Sequence, residues 1–202
     1  MQTLEQQCYF FMCLPLDQRS YFHSGTDLRK DFVKNVFLKE KSITLDEGWP
    51  KYVEEIVDPY YMFKNYFRRH GVIFLENGTF NQFVDIVNSK LPEVLILIAH
   101  CKDGGIPETE SVEFFDKMVL SDDFLRAPFI PYPLVLDLSV CKPLYLRKKM
   151  EIIHSNYSIF TSNNIKDLTI WLYTYSQIIA KMLKEHTKYL EAYVSFFKEN
   201  HK

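Results

Sequence analysis

A chain of 202 residues that is 47% apolar and 25% charged is long enough for one domain with a real core, and too hydrophobic for a disordered tail. Its net charge of −2 leaves no electrostatic footprint for nucleic acid. No apolar run approaches the roughly 20 residues needed to cross a bilayer. The expectation is one soluble α/β domain over residues 1–202, with no membrane or nucleic-acid partner.

In chain order, Cys8 to Leu14 reads as a first buried strand stopped by Pro15. Glu5 precedes this patch and no Lys or Arg does, which is unlike a secretory signal. Thr26 is expected to open a helix with Leu28, Phe32, Val33, Val36 and Phe37 at helical spacing, and Arg29, Lys30, Lys34 and Lys39 facing water. A second helical stretch follows Trp49, with Pro50 at its first position. Asp58 and Pro59 are expected as N-cap and N1 of a helix carrying Tyr61, Phe63 and Phe67, stopped at Gly71. Val72 to Leu75 reads as a strand, and Thr79 as the cap of a helix bearing Phe80, Phe83, Val84 and Val87.

Val94 to Ile98 is a run of β-branched and leucine residues that reads as a fully buried strand of a parallel sheet. A loop from Lys102 to Pro107 holds two of the six glycines. Ser111 to Phe115 and Met118 to Leu120 flank Asp116-Lys117 as a small hairpin. Pro128, Pro131 and Pro133 keep the chain extended into a second very apolar strand, Leu134 to Leu138. A short helix after Cys141 through Arg147 is expected next, then strand from Met150 to Ile153 and from Tyr157 to Phe160. Basic residues gather at Arg68-Arg69-His70 and at Arg147-Lys148-Lys149, which read as helix ends. Asn164 with Asp167 resembles a capping pair for a helical tail with Trp171, Leu172, Tyr175, Ile178, Ile179 and Met182 on one apolar face. That helix is expected to break around Glu185 to Lys188, before Tyr189, Ala192, Tyr193 and Phe196.

Four cysteines show neither CxxC nor finger spacing, so reduced thiols and a cytoplasmic location are expected, with no metal and no cofactor. His100, Cys101 and Cys141 give poor tetrahedral geometry, because two of the three are sequence neighbours. Of the other histidines, His154, just past Ile153, could reach the same sheet edge but is given no role.

The two most apolar strands each end near a chemically capable side chain, His100 after the first and Cys141 after the second. In open α/β sheets the working site lies outside the carboxyl ends of the strands. An imidazole beside a thiol lowers the thiol's pKa and can protonate a leaving group. With a hairpin between the two strands, this order resembles the caspase-like cysteine peptidases (clan CD, including CHAT domains). The resemblance covers roughly residues 72 to 200. It implies a mostly parallel sheet flanked by helices on both faces, with a small β-hairpin between the His and Cys strands. It also implies a His100/Cys141 dyad that cleaves a protein or peptide substrate through a thioester, and a helical finish around Tyr189 to Ala192.

On the same resemblance the oxyanion is held by the backbone N–H groups of Cys101 and Cys141. Cys101 stands where the family favours Gly, and Lys142 and Pro143 follow Cys141 with no glycine nearby. The alternative is therefore a catalytically inactive interaction module in a signalling or defence assembly. Either reading implies a regulatory protein partner. Asp103, Glu108, Glu110 and Asp116 crowd the segment after His100, which favours a basic residue before the cleaved bond.

Overall fold

The computed structural model describes residues 3–138, 142–160 and 168–200. Five strands, β1 (Cys8–Met12), β2 (Ile73–Leu75), β3 (Val94–Ile98), β7 (Leu134–Asp137) and β8 (Tyr157–Phe160), form one sheet in the order β2-β1-β3-β7-β8. Every pairing in it is parallel, with Tyr9 opposite both Ile73 and Leu95, Leu95 opposite Leu136, and Leu136 opposite Ile159. Three short strands, β4 (His100–Lys102), β5 (Ser111–Glu113) and β6 (Met118–Leu120), make a separate antiparallel sheet. The α/β architecture expected from the strand and helix alternation is present, and the hairpin has gained a third strand from the residues at His100.

The strands are apolar on both faces because both faces are covered. Cys8, Phe10, Met12, Val94, Ile96 and Ile98 point to one layer, built by α4 (Asp58–Phe67), α8 (Leu168–Glu185) and α9 (Tyr189–Asn200). Trp171, Tyr175, Phe63 and Tyr189 fill that layer, with the Trp171 and Tyr175 ring centroids 4.5 Å apart. Tyr9, Phe11, Leu95, Leu97, Leu134 and Leu136 point to the other layer. It is built by α5 (Phe80–Ser89), α6 (Ser121–Leu125), α7 (Leu144–Ile153) and the small sheet. Asp137 is the exception in this apolar set: fully buried at the end of β7, it accepts a hydrogen bond from the Tyr189 hydroxyl and ties α9 to the strand.

A third cluster, around Tyr21, Val33, Phe37, Tyr52 and Ile56, belongs to the segment between β1 and α4. This segment holds α1 (Gln18–Thr26), a π-helix over Phe32–Leu38 running into α2 (Lys39–Lys41), and α3 (Leu45–Tyr52) running through a π-helical turn, Val53–Val57, into α4. Several expectations fail here. Thr26 ends α1 and opens nothing, and Leu28 is exposed. Lys30, expected in water, is buried, with its ammonium donating to the carbonyls of Phe114 and Phe115. The helix expected after Trp49 starts earlier at Leu45, because Thr44 and Glu47 form a capping box, and Pro50 lies inside it. Asp58 is not a cap, since the backbone at Val57 is already helical and Pro59 sits on a continuing helix.

Elsewhere the local signals hold. Thr79 and Gln82 form a capping box on α5, Gly71 takes the left-handed φ of +89° after α4 and its 3-10 turn, and the tail breaks after Glu185. Met150 to Ile153, expected as strand, is the last turn of α7, whose Ile152 and Ile153 face solvent. Arg147, Lys148 and Lys149 consequently lie inside α7 and not at its end. The Asn164–Asp167 pair lies outside the described residues. Among the described residues no helix is long and apolar enough to cross a membrane.

Candidate active site

The strand order places β2 on one side of β1 and β3 on the other, so the chain reverses its direction of winding between β1 and β3. In open parallel sheets this switch point opens a crevice at the carboxyl ends of the strands. His100 follows β3 by two residues, at that end. The small antiparallel sheet then holds it, because β4 pairs with β5 and sets His100 directly opposite Glu113.

The His100 ring meets a partner from the segment between β1 and α4. Its Nε2 lies 2.8 Å from Oδ2 of Asp31, with the two side chains 17% and 13% exposed. A carboxylate can only accept, so Nε2 carries the proton and, in the neutral ring, Nδ1 carries the lone pair. Asp31 Oδ1 accepts from the side-chain amide of Asn35 at 3.0 Å and faces the Lys102 ammonium at 3.6 Å. Burial alone would raise the Asp31 pKa. The hydrogen bonds from Asn35 and His100, with the charges of His100 and Lys102, outweigh it and hold the carboxyl below its usual value. The Phe32 ring, 5.7 Å from the imidazole, closes one side.

Asp31 is set in turn by its own backbone. Its N–H and that of Phe32 both donate to Oε2 of Glu113, at 2.9 Å each. These are orphan donors at the start of the π-helix, and a buried carboxylate is the natural acceptor for them.

The second residue expected in the site, Cys141, lies outside the described residues. Lys142, its neighbour, is described: its carbonyl oxygen lies only 2.8 Å from where a Cβ on Gly104 would sit, and the Cys101 sulfur is 3.7 Å from that same point. The chain following β7 therefore packs against the loop that follows His100. Cys101 itself is the middle residue of β4, opposite Val112, and not part of a loop.

The acidic crowd after His100 is largely committed to structure. Fully buried Glu110 accepts from the backbone N–H groups of Gly105, Tyr145 and Leu146 and from the Ser121 hydroxyl, capping α7. Asp116 accepts from the N–H of Phe80, at the start of α5. Only Asp103 and Glu108 of the four remain as candidates for a basic substrate side chain. His154 is the C-cap of α7, stacked on Tyr157 at the amino end of β8, which is the wrong end of a parallel sheet for this crevice. No group of three His, Cys, Asp or Glu among the described residues is placed to hold a metal.

A groove of about 480 Å³ between α4 and α8, lined by Met62, Phe63, Tyr66, Leu172 and Tyr173 among others, shares no residue with the His100 site. Sequence reasoning singled out His100 and did not pair it with Asp31. The available signal was an Asp placed just before the apolar-periodic run that starts at Phe32, a helix-start position. The sequence matches no protein-family model and no curated protein.

Proposed function

We propose that this chain is a caspase-like cysteine peptidase in which His100, oriented by Asp31, activates Cys141. The observation that carries the reading is the 2.8 Å contact between His100 Nε2 and a shielded, ionised carboxylate. It fixes the tautomer and leaves Nδ1 as the base, the arrangement a thiol nucleophile needs. The thiol of Cys141 gives its proton to Nδ1, and the sulfur attacks the substrate carbonyl. The resulting oxyanion is held by the backbone N–H groups of Cys101 and Cys141. As the intermediate collapses, the imidazolium protonates the departing amine and a thioester remains, which water hydrolyses with His100 again as base. The substrate is a protein or peptide, and a basic residue before the cleaved bond would answer Asp103 and Glu108. A cytoplasmic setting suits Cys8, Cys13 and Cys101, none of which forms a disulfide.

A second reading, an inactive module on the same scaffold with a protein partner, is favoured by one observation. The first-turn N–H groups of α7, just beyond Cys141, are already taken by Glu110, so that helix start offers no Tyr145 or Leu146 donor to an oxyanion. A peptidyl acyloxymethyl ketone decides between them. The peptidase reading expects Cys141 to be labelled faster than a model thiol, with the gain lost in His100→Ala. Labelling at the model-thiol rate, unchanged by His100→Ala, leaves the module.

A further inference from the structure

Glu113 takes no part in the chemistry above, yet it is tied to it from two sides. The β4–β5 ladder puts it opposite His100, and Glu113, 3% exposed, reaches with its side chain the backbone of the residue that holds His100. A closed ring results: His100 to Glu113 across the ladder, Glu113 to the N–H groups of Asp31 and Phe32, and the Asp31 carboxylate back to the imidazole. The adjacent Lys30 pins the same stretch to Phe114 and Phe115, so three consecutive residues of one segment are clamped to three consecutive residues of the hairpin.

We propose that Glu113 is a positioning residue, whose carboxylate oxygen sets the Asp31 backbone at the height that brings the Asp31 side chain onto Nε2 of His100. The inference deepens the peptidase reading and rests on it for its catalytic meaning. Asp31 stands outside the sheets, in a segment with its own small core; from β4 its carboxylate meets the His100 ring and, at 3.6 Å, the half-exposed Lys102 ammonium, and neither side chain sets the height of the Asp31 backbone. The two N–H bonds to Glu113 do. What matters is then where the acceptor oxygen lies, more than the charge it carries.

That distinction supplies the test. Glu113→Gln keeps an oxygen at the same reach and loses the charge. Glu113→Asp keeps the charge and withdraws it by one methylene. Both are mild enough to be compared as folded proteins, checked by their urea transitions. The readout is the ring of His100 by nitrogen-15 NMR: an Nε2–H signal slowed in exchange by Asp31, absent in Asp31→Ala. Glu113→Gln is expected to keep that signal and to label at Cys141 within about threefold of wild type. Glu113→Asp is expected to lose it and to label about 100-fold more slowly, the scale of an ångström-sized misplacement.

The proposal is overturned if Glu113→Asp keeps the ring signal, or if Glu113→Gln loses it as fully as Glu113→Asp. The two readings separate cleanly. A ring signal that follows the expected order in a protein that never labels, wild type included, leaves the positioning role standing and removes the peptidase.

Discussion

Replacing Asp31 by Asn changes one oxygen to an amide, and the local hydrogen bonds dictate the consequence. Asp31 accepts from Asn35 through Oδ1 and from His100 through Oδ2. Asn has one accepting oxygen, so its NH2 must face either the Asn35 amide or the imidazole. Facing Asn35 turns the NH2 toward the Lys102 ammonium and requires the Asn35 amide to flip its own oxygen inward. Facing the imidazole forces Nε2 to accept, which moves the ring proton to Nδ1 and removes the lone pair that the thiol needs. The second outcome keeps an oxygen toward both Asn35 and the Lys102 ammonium, so the other tautomer is expected. Wrong-tautomer losses in triad enzymes run to about 10⁴-fold, and a fall of about 10³ to 10⁴-fold in Cys141 labelling is the expected scale here. The stability cost is separate: losing a charge-assisted bond at a largely shielded site costs about 2 kcal/mol, or about 4–8 °C in Tm for a chain of this size. Nitrogen-15 shifts of the His100 ring read the tautomer directly, and thermal melts read the cost. An unchanged Nε2–H tautomer together with wild-type labelling would refute the argument that Asp31 orients this ring.

Lys30→Met removes a buried ammonium and leaves the Phe114 and Phe115 carbonyls without it; a loss of about 3 kcal/mol in a urea titration is expected, and one below about 1 kcal/mol would show that the clamp contributes little. Gly78→Ala places a Cβ 2.1 Å from the Phe11 ring, which is buried between Phe83 and Phe114 and has nowhere to go; the expected cost is about 1–3 kcal/mol, and a neutral result would mean the end of β1 yields more than its packing implies. Acid should destabilise the fold through Asp17, Asp31 and Glu47, and through Asp27, whose pKa is held at about 2 chiefly by its hydrogen bonds with Arg29. Each has a folded pKa below its unfolded one, so its contribution is complete above the ordinary carboxyl values of 3.8 to 4.5 and is lost as pH falls through the folded value. The urea midpoint should therefore drop as pH falls below about 4, and a midpoint flat down to pH 2 would contradict these assignments.

The central strands were legible because Val94 to Ile98 and Leu134 to Leu138 leave no helical alternative of useful length, and because turn residues bracket Ser111 to Leu120. Thr79-x-x-Gln82 announced its helix in the same local way. Thr44-x-x-Glu47 carried the identical signature, yet the proline at position 50 drew the helix start past it. Met150 to Ile153 was misread for lack of tertiary information: its β-branched pair suits a strand, but buried Glu110, some 35 residues upstream, fixes the start of α7 and lets the helix run through. Asp31 is the same lesson at greater range. Its partner is 69 residues away and its backbone acceptor 82. No periodicity encodes a contact between a π-helix start and a three-residue strand.

That separation follows from the topology. A parallel sheet brings the carboxyl ends of all its strands to one side, so whatever leaves β1 and whatever leaves β3 emerge together at the switch point between them. The segment leaving β1 closes its own core around Tyr21, Val33 and Tyr52, which makes it a rigid body able to carry a side chain to a fixed place. The segment leaving β3 turns at once into the small sheet, which presents His100 and Glu113 side by side. Each body alone would hold half of a hydrogen-bonded arrangement. Lys30, Asp31, His100 and Glu113 are all largely shielded from solvent, so undocking either body breaks several hydrogen bonds to charged groups at once. The association is therefore close to all-or-none, and the imidazole is oriented only when both bodies are in place.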